Sequence, residues 1–540
     1  MKRDIDALGG RQFDVLVVGG GVHGACVVRD AALRGLSVAL IEQCDYSSAT
    51  SHNSLKTIHG GIRYLQHLNI KRAVESIREQ DVLLRIAPHL VQPLRFMMPC
   101  YGWMMRGPVA TALGVVLFEI LGFFTRLAGG HLPRWPAGSV HSASGALALA
   151  PGLDTRKLTG AASWLDAQVS LADKAVLQML EHASENHAVV ANYVRADALS
   201  FTADGRRVTG VTATDTIAGK NFDIAARLVI NAAGPWANHW VNTRIAHRGD
   251  ESGNTALADS RLSDSRLTDS LRVGLVKSMN LLIDAPAADM AIGVKSRLQS
   301  DSKVDAANRL YFAIPWLGKT LIGTTHYTHR ADSRELENQP GEVDAFVDEF
   351  NAAYPAMNLF PDDVLYCYQG LTPGDDAVDA DGAKLHHSKV IDHQLVDKLA
   401  GLISIIGIKW TTARRVAEHA VDIASAHLNA GGACLTRTTP IPDYPATAHH
   451  TESLNDEQLR QFVLSHVQHT QAFKLDDIVL RRTNDLVLGT MTSQRVRLVI
   501  DTLATHFSWS MSDQREQLDS LLASGLGPRT RAALIAEFTE

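Results

Sequence analysis

The chain has 540 residues and little cysteine, no excess of basic charge and one long apolar run. Its five cysteines are Cys26, Cys44, Cys100, Cys367 and Cys434. No two stand at metal-ligand spacing, and five are too few to staple a secreted scaffold. A reducing compartment and no structural metal are expected. The 23 histidines show no HxxxH or HExxH pattern, so no metal is assigned to them. Net charge is −6, from 52 basic and 58 acidic residues, which gives no basic surface for nucleic acid. Residues 1–12 carry no apolar h-region, so no signal peptide is expected. The long apolar run is 109–128. Glu119 in its middle, Arg126 near its end and Gly114 and Gly122 within it argue against a membrane span. A buried or amphipathic helix, or one lying on a bilayer surface, is expected there.

What is present is ordinary globular composition, 46% hydrophobic and 20% charged, enough for two large domains or three to four smaller ones. Residues 13–18 (FDVLVV) form a short apolar run bounded by glycine, the pattern of a buried strand. Residues 25–33 read as a helix stopped at Gly35, and 38–41 as a second strand closed by Glu42, which completes a βαβ opening. Further helices are expected at 72–86, at 411–428 and around Ala172, Ala175, Val176, Met179 and Leu180, which share one helical face. Strands are expected at 189–190, 208–212, 228–232, 310–314, 320–323 and 401–406. Residues 243–270 are polar and partly repetitive and read as a surface insertion. Residues 440–445 read as a linker, and 452–540 as a separate helical appendage.

Gly19-x-Gly21-x-x-Gly24 joins the first strand to the first helix. Gly19 suits a tight turn, Gly21 lets backbone approach a pyrophosphate, and Gly24 lets helix and strand pack closely, with the helix N-terminus facing the anion. Glu42 follows Gly24 by 18 residues, where a carboxylate accepts from ribose hydroxyls. Strand, helix, strand and acid in this order predict dinucleotide binding. The turn alone does not choose FAD over NAD, and an ordinary glycine-rich βα turn is the plainer alternative.

Residues 47–65 (SSATSHNSLKTIHGGIRYL) mix hydroxyls, Lys56, His59, paired glycines and Arg63-Tyr64, unlike a plain core segment. With residues 13–42, this stretch resembles the FAD-dependent glycerol-3-phosphate dehydrogenase family, within the glycine-oxidase-like flavoproteins, which typically reads GTSSRSSKLIHGGLRYLE here. Residues 83–99 (LLRIAPHLVQPLRFMMP), 231–237 (NAAGPWA), 309–316 (RLYFAIPW), 322–325 (IGTT) and 402–414 (LISIIGIKWTTAR) extend the likeness. Residues 476–483 (DDIVLRRT) resemble the start of that family's C-terminal helical region.

The resemblance implies an α/β + α fold. A discontinuous Rossmann-type FAD-binding domain (1–90, 161–242, 371–440) is expected, with a cap and helical segment (91–160), the insertion (243–270), a β-sheet substrate cap (271–370) and a C-terminal helical domain (441–540). It implies FAD, held by Gly19, Gly21, Gly24, Glu42, Ser48, Thr50, Ser51, Lys56, His59, Ala233, Gly234, Gly407, Lys409, Thr411 and Thr412. It also implies catalytic roles. Arg63, Tyr64 and Arg309 would orient an anionic substrate, and Lys409 with the following helix N-terminus would support the reduced flavin. His59 and His326 are the candidate bases. Each has a plainer reading: His59 as a loop histidine, Arg63-Tyr64 as a helix brace, Arg309 as a surface charge, His326 as a turn residue. Trp236 and Trp410 read most simply as core fillers.

The chain departs from the family's pattern in its expected substrate pocket. Asn280 stands where a histidine is usual, Thr372 and Lys389 where arginines are, His326 where an aspartate is, and Ile408 within a Gly-Gly-Lys motif. Arg to Thr removes a fork of donors suited to phosphate. The expectation is an FAD-dependent dehydrogenase that moves hydride from a secondary alcohol of a small anionic substrate to flavin N5, with glycerol 3-phosphate the first candidate and dihydroxyacetone phosphate its product. Oxidation of a different hydroxy acid, amino acid or modified polyol is the alternative, and a non-catalytic flavin-binding protein is a third reading. The electron acceptor is expected to be quinone or oxygen. Location is expected in the cytoplasm or on the inner face of the cytoplasmic membrane, and oligomers are allowed.

Overall fold

A computed structural model describes residues 1–62, 64, 69–102, 108–129, 138–246, 273–286, 288–296, 310–329, 336, 341–374, 388–444 and 451–539. Two sheets organise the chain. The first contains β1 (Phe13–Val18), β2 (Val38–Ile41), β7 (Val189–Ala191), β10 (Lys220–Asn231), β16 (Lys389–Asp392) and β17 (Leu402–Ile406), in the order β16-β17-β10-β1-β2-β7. All pairs are parallel except the edge strand β16. β1, β2 and β17 are nearly unbroken apolar runs and are buried almost throughout, as parallel strands covered on both faces must be. The helices Val22–Leu33, Ala172–Glu185 and Ala413–Leu428 cover one face through a shared apolar cluster. β8 (Val194–Phe201) and β9 (Val208–Asp215) join the start of β10 and pack on the other face.

Parallel register sets Val18 beside both Ile41 and Asn231, and Asn231 beside Ser404. The C-terminal ends of four strands therefore share one edge. The turns that follow them, at 19–24, 42–56, 232–237 and 407–412, converge there, where open α/β sheets place their ligands.

The second sheet runs β15 (Val364–Gly374), β11 (Gly274–Pro286), β14 (Lys319–His329), β13 (Leu310–Trp316), β12 (Ala291–Lys295), β4 (Val91–Tyr101), β6 (Leu158–Val169), β3 (Thr57–Ile58), with β5 (Ser139–Ser142) on β6. The chain returns from this sheet later than expected. β6 runs to Val169 and β15 to Gly374, so the crossings fall after 161 and 371. In both cases strand pairing carries the chain past the expected boundary. Residues 243–246 close the helix Ala237–Ala246, so that part of the expected insertion is helical, and 247–270 lie outside the described residues.

The C-terminal helices Asp456–Thr470, Ser493–Phe507, Met511–Ala523 and Pro528–Thr539 are not a separate appendage. Leu459, Val463, Val496 and Leu534 share one core with Leu282, Trp316, Tyr366 and Tyr368 of the second sheet. The main chain of β15 also bonds to the C-terminal segment, Cys367 N–H to the Gly525 carbonyl at 2.6 Å and Gly527 N–H to the Leu365 carbonyl at 2.9 Å.

The expected helix at 109–128 spans Pro108–Ala128. Its charges turn inward: Glu119 accepts from the Gly138 N–H at 3.0 Å, and Arg126 is buried. Leu113, Val116, Leu117, Ile120, Phe123, Phe124 and Leu127 are exposed. Their spacing puts them on one stripe. The helix is long and apolar enough to cross a membrane, yet part of it packs inside the protein.

Candidate active site

The glycine turn is fixed by close backbone approach. Gly19 has φ +114°, and a Cβ there would lie 2.5 Å from the Ala232 carbonyl oxygen. A Cβ on Gly24 would lie 1.8 Å from the Gly19 carbonyl oxygen. Neither position admits a side chain. The first helix starts at Val22, whose N–H donates to Ser51 Oγ at 2.9 Å, beside Gly21. Glu42 ends β2 and accepts from the Gly20 N–H at 2.6 Å and the Cys44 N–H at 2.9 Å. Burial raises its pKa, against the pull of those two N–H groups.

The segment after Glu42 is tied to three parts of the molecule. Ser47 has φ +65°; its N–H donates to the Gly20 carbonyl at 3.1 Å and its hydroxyl to Asp173 at 2.7 Å. His52 Nδ1 meets the other Asp173 oxygen at 2.9 Å. Burial alone would raise the Asp173 carboxyl, but His52, Lys56 and Ser47 outweigh it and hold it well below the usual range. Thr50 donates to the Leu371 carbonyl at 2.8 Å, on the second sheet. Lys56 is buried, donates to the His52 carbonyl and lies 4.6 Å from the centre of the Tyr368 ring. Burial brings its pKa down to about 8, with Asp173 opposing. Ser48 sits on this turn, its N–H donating to the Asp45 carbonyl at 3.3 Å.

Four of the predicted residues meet at the 407–412 turn. Lys409 Nζ stands 4.1 Å from the centre of the Tyr64 ring. The rings of Tyr64 and His59 are 6.2 Å apart, and the His59 N–H donates to Thr411 Oγ1 at 3.3 Å. Asp166 holds the neighbouring Gly60 N–H at 2.5 Å and also accepts from Gln80 and Trp164, each at 2.9 Å. Thr412 precedes the helix Ala413–Leu428. A Cβ on Gly407 would lie 2.3 Å from the His23 ring, so this position needs glycine. Burial pushes the His23 pKa down to about 4, which leaves the imidazole neutral at ordinary pH. On the adjoining strand end, the Ala233 N–H bonds to Asn231 Oδ1 at 3.1 Å and Gly234 takes φ +61°. Asn231 is itself held by Ser404, which continues to His393 and Asp397.

The second sheet turns one face toward this crevice. Ser278 lies opposite both Gly370 and His326, and Val276 opposite Thr372, so these side-chain positions share a face. A Cβ on Gly370 would lie 3.3 Å from Cβ of Asn53, which shows that this face looks onto the 47–56 segment. Asn280 donates to the Asn53 carbonyl at 3.2 Å and accepts from Thr324 at 2.7 Å. Thr372 donates to the Val276 carbonyl at 3.3 Å. Lys389 stands apart, exposed at the edge of the first sheet opposite Ile406 and next to the Gly407 turn. Arg63 and Arg309 lie outside the described residues.

A flavin dinucleotide fits this crevice. The glycine turn exposes backbone where a pyrophosphate would approach. His23 Nε2, inside the glycine turn and against Gly407, and Trp410 Nε1, on the 407–412 turn, are shielded polar atoms with no partner among the described residues. Lys409 supplies a cation beside them. Sequence reasoning missed the partners that hold these loops: His23 beneath Gly407, Asp173 beneath Ser47 and His52, Asp166 beneath Gly60. His23 was visible as a bulky residue inside the glycine turn. The two aspartates carried no local signal, since the loop residues they hold, Ser47, His52 and Gly60, lie more than a hundred residues away in sequence.

Comparison with known proteins agrees. The profile of the FAD dependent oxidoreductase family matches residues 14–423. The glycerol-3-phosphate dehydrogenase of Synechocystis sp. is 32% identical over 464 residues, covering 85% of this chain and 78% of that protein. The aerobic glycerol-3-phosphate dehydrogenase of Escherichia coli is 28% identical over 439 residues, covering 79% of this chain and 76% of that one. Among solved structures, the glycerol-3-phosphate dehydrogenase of Bacillus halodurans complexed with FAD aligns with a TM-score of 0.69 at 21% identity, over 96% of this chain and 95% of that chain, which bears on the fold alone.

Proposed function

The chain belongs to the FAD-dependent oxidoreductase family, and on that premise we propose that it oxidises the secondary alcohol of a small anionic polyol, with glycerol 3-phosphate the first candidate. FAD, when bound, supplies the acceptor for the hydride that leaves the alcohol carbon. The observation that carries the reading is the convergence of His59, Tyr64, Lys409 and Thr411 at the mouth of the glycine-turn crevice. Lys409 and the N-terminus of the helix Ala413–Leu428 place positive potential where negative charge develops. Tyr64, with Arg63 and Arg309, orients the anionic end. His59 or His326 takes the hydroxyl proton. The second sheet covers the reacting carbon and excludes water. The names of the curated relatives favour glycerol 3-phosphate; the neutral Thr372 and Asn280 favour a second reading, a substrate whose polar end is shaped differently.

Steady-state turnover decides between them. Dihydroxyacetone phosphate should form from glycerol 3-phosphate in one-to-one ratio with reduction of an added quinone analogue or of oxygen. Absence of that product, with turnover of another hydroxy acid, amino acid or polyol, would move the assignment to the second reading.

The exposed apolar stripe of the helix Pro108–Ala128 supports contact with a bilayer surface, where a lipid-soluble quinone would arrive. The inward turn of Glu119 and Arg126 suits a helix lying on the surface rather than crossing it. Carbonate or high-salt washing should release the protein from membranes. A need for detergent after both washes would contradict this.

A further inference from the structure

Asp45 lies three residues after Glu42 and two before Ser47, at the root of the segment that faces the glycine turn. It is fully buried, as is Arg482. Arg482 grips it with two bonds, Nη1 to Oδ2 at 2.7 Å and Nη2 to Oδ1 at 2.8 Å, and Arg481 Nε adds a third to Oδ2 at 2.6 Å. Asn192 donates to Oδ1 at 3.1 Å. Both arginines belong to a short π-helical turn, Asp477–Arg482, at the entry to the C-terminal helices. They are anchored in turn by the helical region itself: Arg481 on Asp477 at 2.7 Å, Arg482 on the Thr470 hydroxyl at 2.9 Å and carbonyl at 3.0 Å. Next to Asp45, the Tyr46 hydroxyl donates to Gln471 at 3.1 Å.

This cluster bears on the cofactor crevice through two covalent steps. Ser47 is held at a positive φ that a serine does not prefer, and a conformation of that kind persists only when its surroundings impose it. Its N–H bonds to the Gly20 carbonyl, inside the glycine turn, and its hydroxyl to Asp173. A shift of Asp45 would therefore move the wall of the crevice. The bidentate guanidinium–carboxylate geometry fixes orientation as well as distance. Burial would raise the Asp45 carboxyl, but Arg482 and Arg481 outweigh it and keep it ionised.

We propose that the C-terminal helices form part of the FAD-holding machinery, with Arg481 and Arg482 acting through Asp45 as positioning residues for the 45–56 segment. The proposal rests on the reading of the crevice as the FAD site. Coupling of this kind is reciprocal: if the arginines favour FAD binding, FAD must stabilise the arginine turn.

Amide hydrogen exchange on the full-length wild-type protein, with and without added FAD, tests this without any variant. FAD should slow exchange several-fold in 477–483 as well as in 19–24 and 45–56. Slowing confined to 19–24 and 45–56, with 477–483 unchanged, would overturn the proposal. Binding of no FAD at all would instead overturn the reading of the crevice. FAD titration of Asp45→Asn gives a second readout. Affinity of the folded protein, checked by circular dichroism, should fall tenfold or more. Arg497→Met, which cuts the Arg497–Glu537 pair elsewhere among the same helices, should lower the melting temperature and leave FAD affinity unchanged. Equal FAD affinity in wild type and folded Asp45→Asn would show the cluster to be structural only. If Asp45→Asn does not fold, the exchange measurement on wild type stands as the deciding result.

Discussion

The two sides of the crevice are built differently. The first sheet shapes its side largely with backbone: a Cβ on Gly19 or Gly24 would collide with a carbonyl oxygen, and one on Gly407 with the His23 ring. The second sheet shapes its side with small polar side chains from distant strands, Asn280, Thr372, His326 and Ser278, which largely bond to neighbouring residues. Positions where a Cβ would strike backbone admit no side chain. A side chain-made site can be rewritten one residue at a time, and three of the five departures from the family pattern, Asn280, Thr372 and His326, stand there, while Lys389 and Ile408 stand on the first-sheet side. On the proposed function, the cofactor is tied to the fold and substrate choice to a handful of exchangeable groups.

The largest effect should come from the backbone side. Gly24→Val forces a methyl-bearing Cβ against the Gly19 carbonyl, and backbone shifts of that order cost about 3 kcal/mol or more, so little folded protein is expected. Gly21→Val meets only Ser51 Oγ, at 3.0 Å. That variant should fold, melt cooperatively and carry no flavin after gel filtration. Full flavin content in purified Gly21→Val would break the comparison.

Lys56 sharpens it with pH. Its folded pKa of about 8 lies below the ordinary lysine value, so between the two the unfolded chain holds a proton the folded one does not. Stability should then rise as pH climbs from about 8 toward 10.5, by on the order of 3 kcal/mol, and be flat in this respect below 8. Denaturant unfolding of the FAD-free protein, compared with Lys56→Met across that range, isolates the contribution. Parallel curves for the two proteins would show that Lys56 titrates normally.

The substrate side should give the smallest and most instructive change. Thr372 offers one neutral hydroxyl, already donated to Val276, where a guanidinium would give two charge-assisted bonds to phosphate. Thr372→Arg should raise kcat/KM for glycerol 3-phosphate about ten- to a hundred-fold, the equivalent of about 1.5–3 kcal/mol. A fall in kcat/KM would show that the pocket already grips phosphate from another direction.

This difference in construction also decided what the sequence revealed. The glycine turn, its flanking strands and Glu42 fall within 30 residues and follow local rules, so both the elements and their purpose could be read. The segment from Ser47 to Leu65 was legible as a resemblance, because its residue order is long and specific. The contacts that hold it were not. Asp45 meets Arg482 across 437 positions and His52 meets Asp173 across 121, and nothing local marks either pair. The C-terminal helices read as an appendage because an apolar helix face does not name its partner; here the partner is the second sheet. The late crossings after Val169 and Gly374 have the same origin, since strand length is set by pairing and not by the chain's own signals.

On the proposed function, the crevice between the two sheets holds a flavin that takes electrons from a small hydroxylated anion. Anaerobic titration of the purified protein tests it most directly. The expected result is a yellow protein with non-covalent FAD whose visible absorbance is bleached by glycerol 3-phosphate in stoichiometric amount, or, under the second reading, by another small alcohol or amino acid. A protein that carries no FAD, or one whose FAD spectrum stays unchanged with glycerol 3-phosphate and with every hydroxy acid, amino acid and polyol tried, would contradict it.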